Sequence, residues 1–257
     1  MATRSIKMKK SEDQKIISII SDFNIVPLSG HLKNKLKHPK FVIETAPYGQ
    51  VYQSLARSSD SWLDIVWTLP ERILPGFNKA LQCVQVKHED ILTEVDDFAE
   101  SLIRASTQKY IFVAAWHLPV SKGYGILDWQ DGLGLSSLLT KCNLRLSAKI
   151  SAHNNIFMLP AHSWMEGIKQ PISKKLWYAT KVPYVSDVFE AAAESIQQSV
   201  YAINGKSRRL IIVDLDNTLW GGVLGETGWQ GVRLGGHDHV GEAFKDFQLA
   251  LKALSNR

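Results

Sequence analysis

The chain has 257 residues, 45% of them hydrophobic and 21% charged, with a formal net charge of +5. This is the balance of a soluble globular protein with one large or two modest domains, and it excludes a disordered or low-complexity chain. No stretch approaches the roughly 20 apolar residues of a membrane span, and Cys83 and Cys142 fit no metal-ligand or redox spacing, so they read as free thiols in the cytoplasm.

Residues 1–10 are polar and basic with no apolar segment behind them, and are expected to form a flexible arm. Ser11-Glu12-Asp13-Gln14 has the form of a helix capping box, but the β-branched run that follows, residues 15–20, reads as a strand. Further strands are predicted over 41–45, 63–67, 110–115, 155–159 and 210–213. Helical spacing of apolar residues predicts helices over 95–105, 136–152, 187–203 and 241–256, as in Val188-Ala191-Ala192-Ile196-Val200. Such alternation implies an α/β fold with parallel sheets covered by helices, where ligands bind at the carboxyl ends of the strands.

Between these elements, the basic run over residues 33–40 lacks interleaved aromatics, so it suits an acidic protein partner better than nucleic acid. Residues 171–183 form a Lys-rich connector with Trp177 and Tyr178, continuing to Tyr184, and are expected to pack against both neighbours. The polar turn over 204–209 follows a long amphipathic helix and marks the seam between a domain over 11–204 and a second over 205–257.

The chemistry is concentrated after that seam. An apolar run, Ile211-Ile212-Val213, leads into Asp214-Leu215-Asp216-Asn217-Thr218 and then Trp220-Gly221-Gly222. Two carboxylates two residues apart at a strand exit face one cavity. That pairing suits phosphoryl transfer, with Asp214 as nucleophile and Asp216 as the acid that protonates the leaving group and then activates water. Their gathered negative charge calls for a hard cation, Mg²⁺, with Asp214 and Asp216 as its ligands. Asn217 and Thr218 turn the backbone so that amides and a hydroxyl face the phosphate, and Trp220, Gly221 and Gly222 form a flap above it. The bland alternative is an ordinary strand end closed by Asp-capped turns.

Asp214-Leu215-Asp216-Asn217-Thr218 resembles the first signature of the haloacid dehalogenase (HAD) superfamily. Leu219-Trp220-Gly221-Gly222-Val223-Leu224-Gly225-Glu226-Thr227-Gly228 resembles its FkbH-like branch, of HAD-IIIC type. The similarity extends to Val232-Arg233-Leu234-Gly235, to Gly241-Glu242-Ala243-Phe244 with Phe247-Gln248, and upstream to Leu176-Trp177-Tyr178 and Lys181-Val182-Pro183. The resemblance implies a three-layer, SGNH-like and flavodoxin-like N-terminal domain followed by the start of a Rossmann-like HAD domain. It also implies Mg²⁺-dependent phosphatase chemistry on a phosphorylated small molecule, in some relatives linked to loading a glyceryl unit onto an acyl carrier protein in polyketide-type biosynthesis. By it, Asp214 is nucleophile and metal ligand, and Asp216 is the acid/base whose backbone carbonyl also binds metal. The superfamily's later Ser or Thr, phosphate-neutralising Lys and further acidic pair would fall after Arg257, so the expectation is a chain that stops inside its HAD domain and is inactive alone. The alternative is a non-catalytic module that docks an acidic carrier protein.

An SGNH-type hydrolase needs a nucleophilic Ser after its first strand and a His oriented by an Asp. Here Asn24 stands where the hydroxyl is expected, Ser21 is a poor substitute, and His162 lacks an upstream Asp partner. Of the two roles open to Asn143, oxyanion donor or helix-surface amide, the second is the better reading; His117 reads as a satisfied structural residue, and His237-Asp238-His239 as an exposed loop with two weak metal ligands. The N-terminal domain is therefore expected to dock or present a substrate rather than turn it over.

Overall fold

A computed structural model of the chain describes residues 14–36, 41–57, 59–118, 123–206, 210–235 and 238–256. The basic arm, the capping-box residues before Gln14, residues 37–40 of the basic run and residues 207–209 of the seam lie outside the described residues. The chain divides into two compact units, Met1–Tyr201 and Ala202–Arg257. No helix among the described residues is long and apolar enough to cross a membrane.

The first unit runs β1 (Lys15–Ser21), α1 (Val26–Lys35), β2 (Phe41–Thr45), α2 (Val51–Ala56), β3 (Leu63–Trp67), α3 (Pro70–Ile73), α4 (Pro75–Leu81), α5 (His88–Ala105), β4 (Tyr110–Ala114), α6 (Leu135–Ile150), β5 (Ile156–Leu159), α7 (Lys174–Thr180) and α8 (Ser186–Ile203). Its five strands form one sheet in the order β2-β1-β3-β4-β5, every neighbouring pair parallel. This is the expected α/β fold, in the flavodoxin-like strand order.

The strands read as unbroken apolar runs because both faces of the sheet are covered. Successive side chains alternate across the sheet. Ile20, Val66, Ile111 and Val113 join one core with the buried stripes of α5 (Ile91, Val95, Phe98, Leu102) and α6 (Leu135, Leu138, Cys142, Leu146). On the opposite side Phe189 of α8 packs against Trp67 at a ring separation of 5.6 Å, and Lys35 of α1 reaches Glu194 of α8 at 2.8 Å. The helix predicted over 95–105 begins earlier, at His88, with Glu89 and Asp90 in its first turn, where their charge complements the helix dipole.

The second unit departs from expectation. Residues 210–213, predicted as a strand, are not one: no ladder partner is present among the described residues, and Leu210, Ile211 and Ile212 are 74%, 55% and 87% exposed. An extended apolar run becomes a strand only when a neighbour takes up its backbone N–H and C=O groups. The unit instead holds α9 (Leu224–Gly231), kinked at Gly228, and α10 (His239–Ser255), the predicted C-terminal helix.

At the amino end of the central strand β3, Asp64 is buried, accepts a hydrogen bond from the Ser61 hydroxyl at 2.6 Å, and pairs with Lys109 Nζ at 2.6 Å. Removing one member of a buried pair strands the other charge. Lys109→Met is expected to lower stability by about 3–5 kcal/mol in urea unfolding, and Lys109→Met combined with Asp64→Leu to recover much of that loss.

Candidate functional site

In the second unit, the residues from Asp216 to Gly222 close into one loop. Asp216 Oδ1 accepts hydrogen bonds from the Trp220 indole N–H at 3.0 Å and the Leu224 backbone N–H at 3.1 Å. Asn217 takes a left-handed conformation, φ 53°, and its side-chain oxygen accepts from the Gly222 N–H at 2.8 Å. Asn tolerates that region better than most residues because its short amide can satisfy the local backbone. Thr218 N–H bonds the Leu215 carbonyl at 3.3 Å, continuing the turn.

The segment from Leu219 to Gly222 is tied down from outside the loop. Gly221 and Arg233 exchange backbone hydrogen bonds of 3.0 and 2.8 Å, and Gln248 of α10 donates to the Leu219 carbonyl at 2.5 Å. A Cβ on Gly221 would come within 2.8 Å of the Phe244 ring, so only glycine lets α10 approach this closely. Asp214 stands just ahead of the loop, exposed, its Oδ1 accepting from the Leu215 N–H at 2.8 Å. The alternation argument for Asp214 and Asp216 sharing a strand exit is therefore not met by a strand; the turn after Asp214 sets their geometry instead.

The exposed Asp214 carboxylate fits the preference of Mg²⁺ for one or two protein carboxylates together with phosphate and water. Among the described residues no group of three or more His, Cys, Asp or Glu is placed to hold a metal. Of the predicted His237-Asp238-His239 loop, His237 lies outside the described residues. Asp238 caps α10, accepting from Val240 and Gly241 N–H at 2.9 and 2.8 Å, and those bonds hold its carboxyl below the usual range.

The first unit brings together a different set. Ser21 is buried at the end of β1 and its hydroxyl accepts from the Phe23 N–H at 3.2 Å. Asn24 is a latch: its side chain donates to the Thr180 carbonyl at 3.1 Å and its backbone N–H to the Lys181 carbonyl at 2.9 Å. His162 is exposed, in a short 3₁₀ turn. Asn143, expected as a surface amide, is half-buried and clamps Trp116 after β4, accepting from its N–H at 2.9 Å and donating to its carbonyl at 2.7 Å. No nucleophile, base and orienting acid are assembled from these residues.

What does gather at the carboxyl ends of β1, β3 and β4 is a cavity of about 810 Å³, whose lining includes Asp22, Glu71, Arg72, His117, Tyr178 and Tyr184. Asp22 is buried, and the Leu69 N–H donates to both its oxygens at 3.2 and 3.1 Å. Burial pushes its carboxyl up to about 7, against the opposing pull of that hydrogen bond and of Arg72. His117 Nδ1 lies 3.2 Å from the Leu118 carbonyl, which can only accept, so that nitrogen carries the proton. Nε2 then accepts from the Tyr184 hydroxyl at 2.7 Å, and burial lowers the His117 pKa, keeping it neutral. Sequence reading reached His117 as a satisfied residue but passed over Asp22 and Arg72. The available signal was a carboxylate directly after an apolar strand, at the strand end where α/β proteins bind ligands.

No protein-family profile matches the chain, and no curated protein does. Among solved structures, the chain is similar to the N-terminal part of the protein BF1531 from Bacteroides fragilis, which contains a phosphatase domain and was crystallised with Mg. The TM-score is 0.78 at 22% identity, covering 95% of this chain and 66% of that one. The chain thus spans slightly less than two thirds of that neighbour, and the likeness is one of fold. Weaker likenesses are to an aryl esterase of M. smegmatis (TM-score 0.46, 13% identity, covering 73% of this chain and 99% of that one) and to Est24, a carbohydrate acetylesterase from Sinorhizobium meliloti (TM-score 0.47, 11% identity, covering 74% and 100%).

The raised pKa of Asp22 carries a stability signature. From the ordinary carboxyl value of 3.8 up to about 7, the folded chain keeps a proton that the unfolded chain releases, so folding weakens as pH rises through this window and levels off above it. Asp22→Asn removes that titration. Across this window the urea-unfolding stability of the wild type is expected to fall relative to Asp22→Asn by an amount on the order of 2–4 kcal/mol. Parallel pH profiles would refute the burial argument.

Proposed function

We propose that residues 214–222 are the nucleophile loop of an HAD-type, Mg²⁺-dependent phosphohydrolase acting on a phosphorylated small molecule. The observation that carries this reading is convergence: segments that resemble the FkbH-like branch but lie apart in sequence meet at one loop. Arg233 pairs with Gly221, Phe244 packs against Gly221, and Gln248 holds the Leu219 carbonyl. A chance D-x-D turn has no need of such a scaffold. The likeness to a Mg-bound phosphatase-containing structure supports the same direction.

In this mechanism the Asp214 carboxylate attacks phosphorus, a P–O bond to the leaving group breaks, and Asp216 delivers its proton to that oxygen. Water, deprotonated by Asp216, then cleaves the aspartyl-phosphate and releases phosphate. The two bonds to Asp216 Oδ1 fix its carboxyl in place and leave Oδ2 to carry the proton. Asp214, through its carboxylate, and Asp216, through its backbone carbonyl, are the residues that would hold Mg²⁺, which when bound would offset the charge of carboxylate and phosphate. The finer role, delivery of a glyceryl unit to an acyl carrier protein, rests on the FkbH-like resemblance of residues 219–228. The basic run gives it limited support, because Lys35 is already paired with Glu194 at 2.8 Å and Glu190 at 3.7 Å.

A second reading, a non-catalytic module that binds an acidic partner, is favoured by one feature: Asp216 is engaged in holding the loop together. The discriminating test is Mg²⁺-dependent phosphate release from p-nitrophenyl phosphate by the wild type and Asp214→Asn. A fall of roughly 100-fold or more in the variant is expected for a lost nucleophile. Release that survives Asp214→Asn rejects the assigned nucleophile; if the wild type releases none, the same assay on a chain extended through the later HAD motifs discriminates, since release there upholds the phosphohydrolase and its absence there favours the binding module.

A further inference from the structure

The cavity of the first unit is not used by the phosphoryl-transfer loop, and all the residues that line it lie between Asp22 and Tyr184. It sits where the strand order β2-β1-β3 reverses direction. At such a switch point the connections leaving neighbouring strands go to opposite faces of the sheet and open a crevice for a ligand. Its volume of about 810 Å³ falls within the range of roughly 300–1,000 Å³ typical of small-molecule sites.

The lining specifies the ligand's chemistry. Asp22 and Glu71 bring acceptors; Arg72 and Lys174 bring donors; above about pH 7, once Asp22 is ionised, the charges balance. A ligand with net charge of either sign would meet repulsion from half of this set. Hydroxyl groups suit it, because each is donor and acceptor at once and can bridge carboxylate and guanidinium. The Arg72 guanidinium is held at 5.9 Å from the Tyr48 ring and 6.0 Å from the Trp177 ring, which orients its donors. Tyr178 lines the cavity with 72% of its surface exposed, and Tyr52 with 41%. Exposed aromatic faces beside paired polar groups suit a molecule with an apolar C–H face and a polar edge.

We propose that this cavity binds an uncharged polyhydroxylated molecule, a mono- or oligosaccharide, with its hydroxyls on Asp22, Glu71 and Arg72 and a C–H face against Tyr178. The site is independent of the phosphoryl-transfer reading.

The test is saturation-transfer NMR on the full chain at about pH 8, where Asp22 is ionised, with glucose, galactose, N-acetylglucosamine and lactose as probes, with ribose 5-phosphate and inorganic phosphate as charged competitors. At least one neutral sugar is expected to show transfer to its ring C–H protons. Affinity for it should fall roughly tenfold in Arg72→Ala and in Tyr178→Ala, both exposed positions, and stay unchanged in Asp214→Asn. Three results would overturn the proposal: no transfer to any of the four sugars, transfer insensitive to Arg72→Ala and Tyr178→Ala, or displacement of the sugar by inorganic phosphate. Sugar binding without phosphatase activity would uphold this site while the other fails.

Discussion

Tyr184 is the residue on which the carboxyl end of the sheet in the first unit depends. Fully buried, it stacks on Trp67 at the end of β3 with ring centroids 5.0 Å apart, and its hydroxyl donates to His117 after β4. Phe23 after β1 and Phe189 of α8 meet the same ring edge-on at 5.7 and 5.8 Å. One side chain thus joins three strand ends and the last helix. An aromatic body that buries a large apolar surface while its hydroxyl finds a partner is the residue type that can do this. Because Tyr184 belongs to the connector before α8, it also fastens that connector over the sheet, assisted by the Asn24 bonds to Thr180 and Lys181.

The two ends of the sheet carry different burdens. At the amino end the Asp64–Lys109 pair is closed and self-sufficient, with Ser59 and Ser61 supplying further hydrogen bonds. At the carboxyl end Asp22 has a backbone N–H but, among the described residues, no cation in an ion pair with it, only the more distant pull of Arg72, so burial dominates and raises its pKa. The contrast is between a carboxylate paired with a cation and one whose burial is offset by a backbone N–H.

In the second unit, order comes from a loop rather than from a sheet. Asp216 gathers the Trp220 and Leu224 N–H groups, Asn217 secures Gly222, and α10 presses Phe244 against Gly221. The glycine is required by that approach and Asn217 by its left-handed backbone, so residue types that look like generic turn formers hold specific places. The same residues that make the motif recognisable also build its scaffold.

Much of the architecture was legible in the chain. The runs at 15–20, 41–45, 63–67, 110–115 and 155–159 announce strands because β-branched and aromatic residues in short apolar stretches suit a sheet covered on both faces. The stripes of α5, α6, α8 and α10 announce helices by their period. Asp214 to Gly222 was legible as a unit because its order of residue types is itself the signal. Three matters were decided only in three dimensions. Residues 210–213 have the composition of a strand, but strand formation depends on a partner that composition does not reveal. Asn143 became a clamp on Trp116, and Tyr184 a keystone, through contacts spanning 27 and 67 residues of sequence. Asp22 is an ordinary aspartate in the sequence; its pKa and its place beneath a cavity come from the solvent that the folded sheet excludes, which no local pattern encodes.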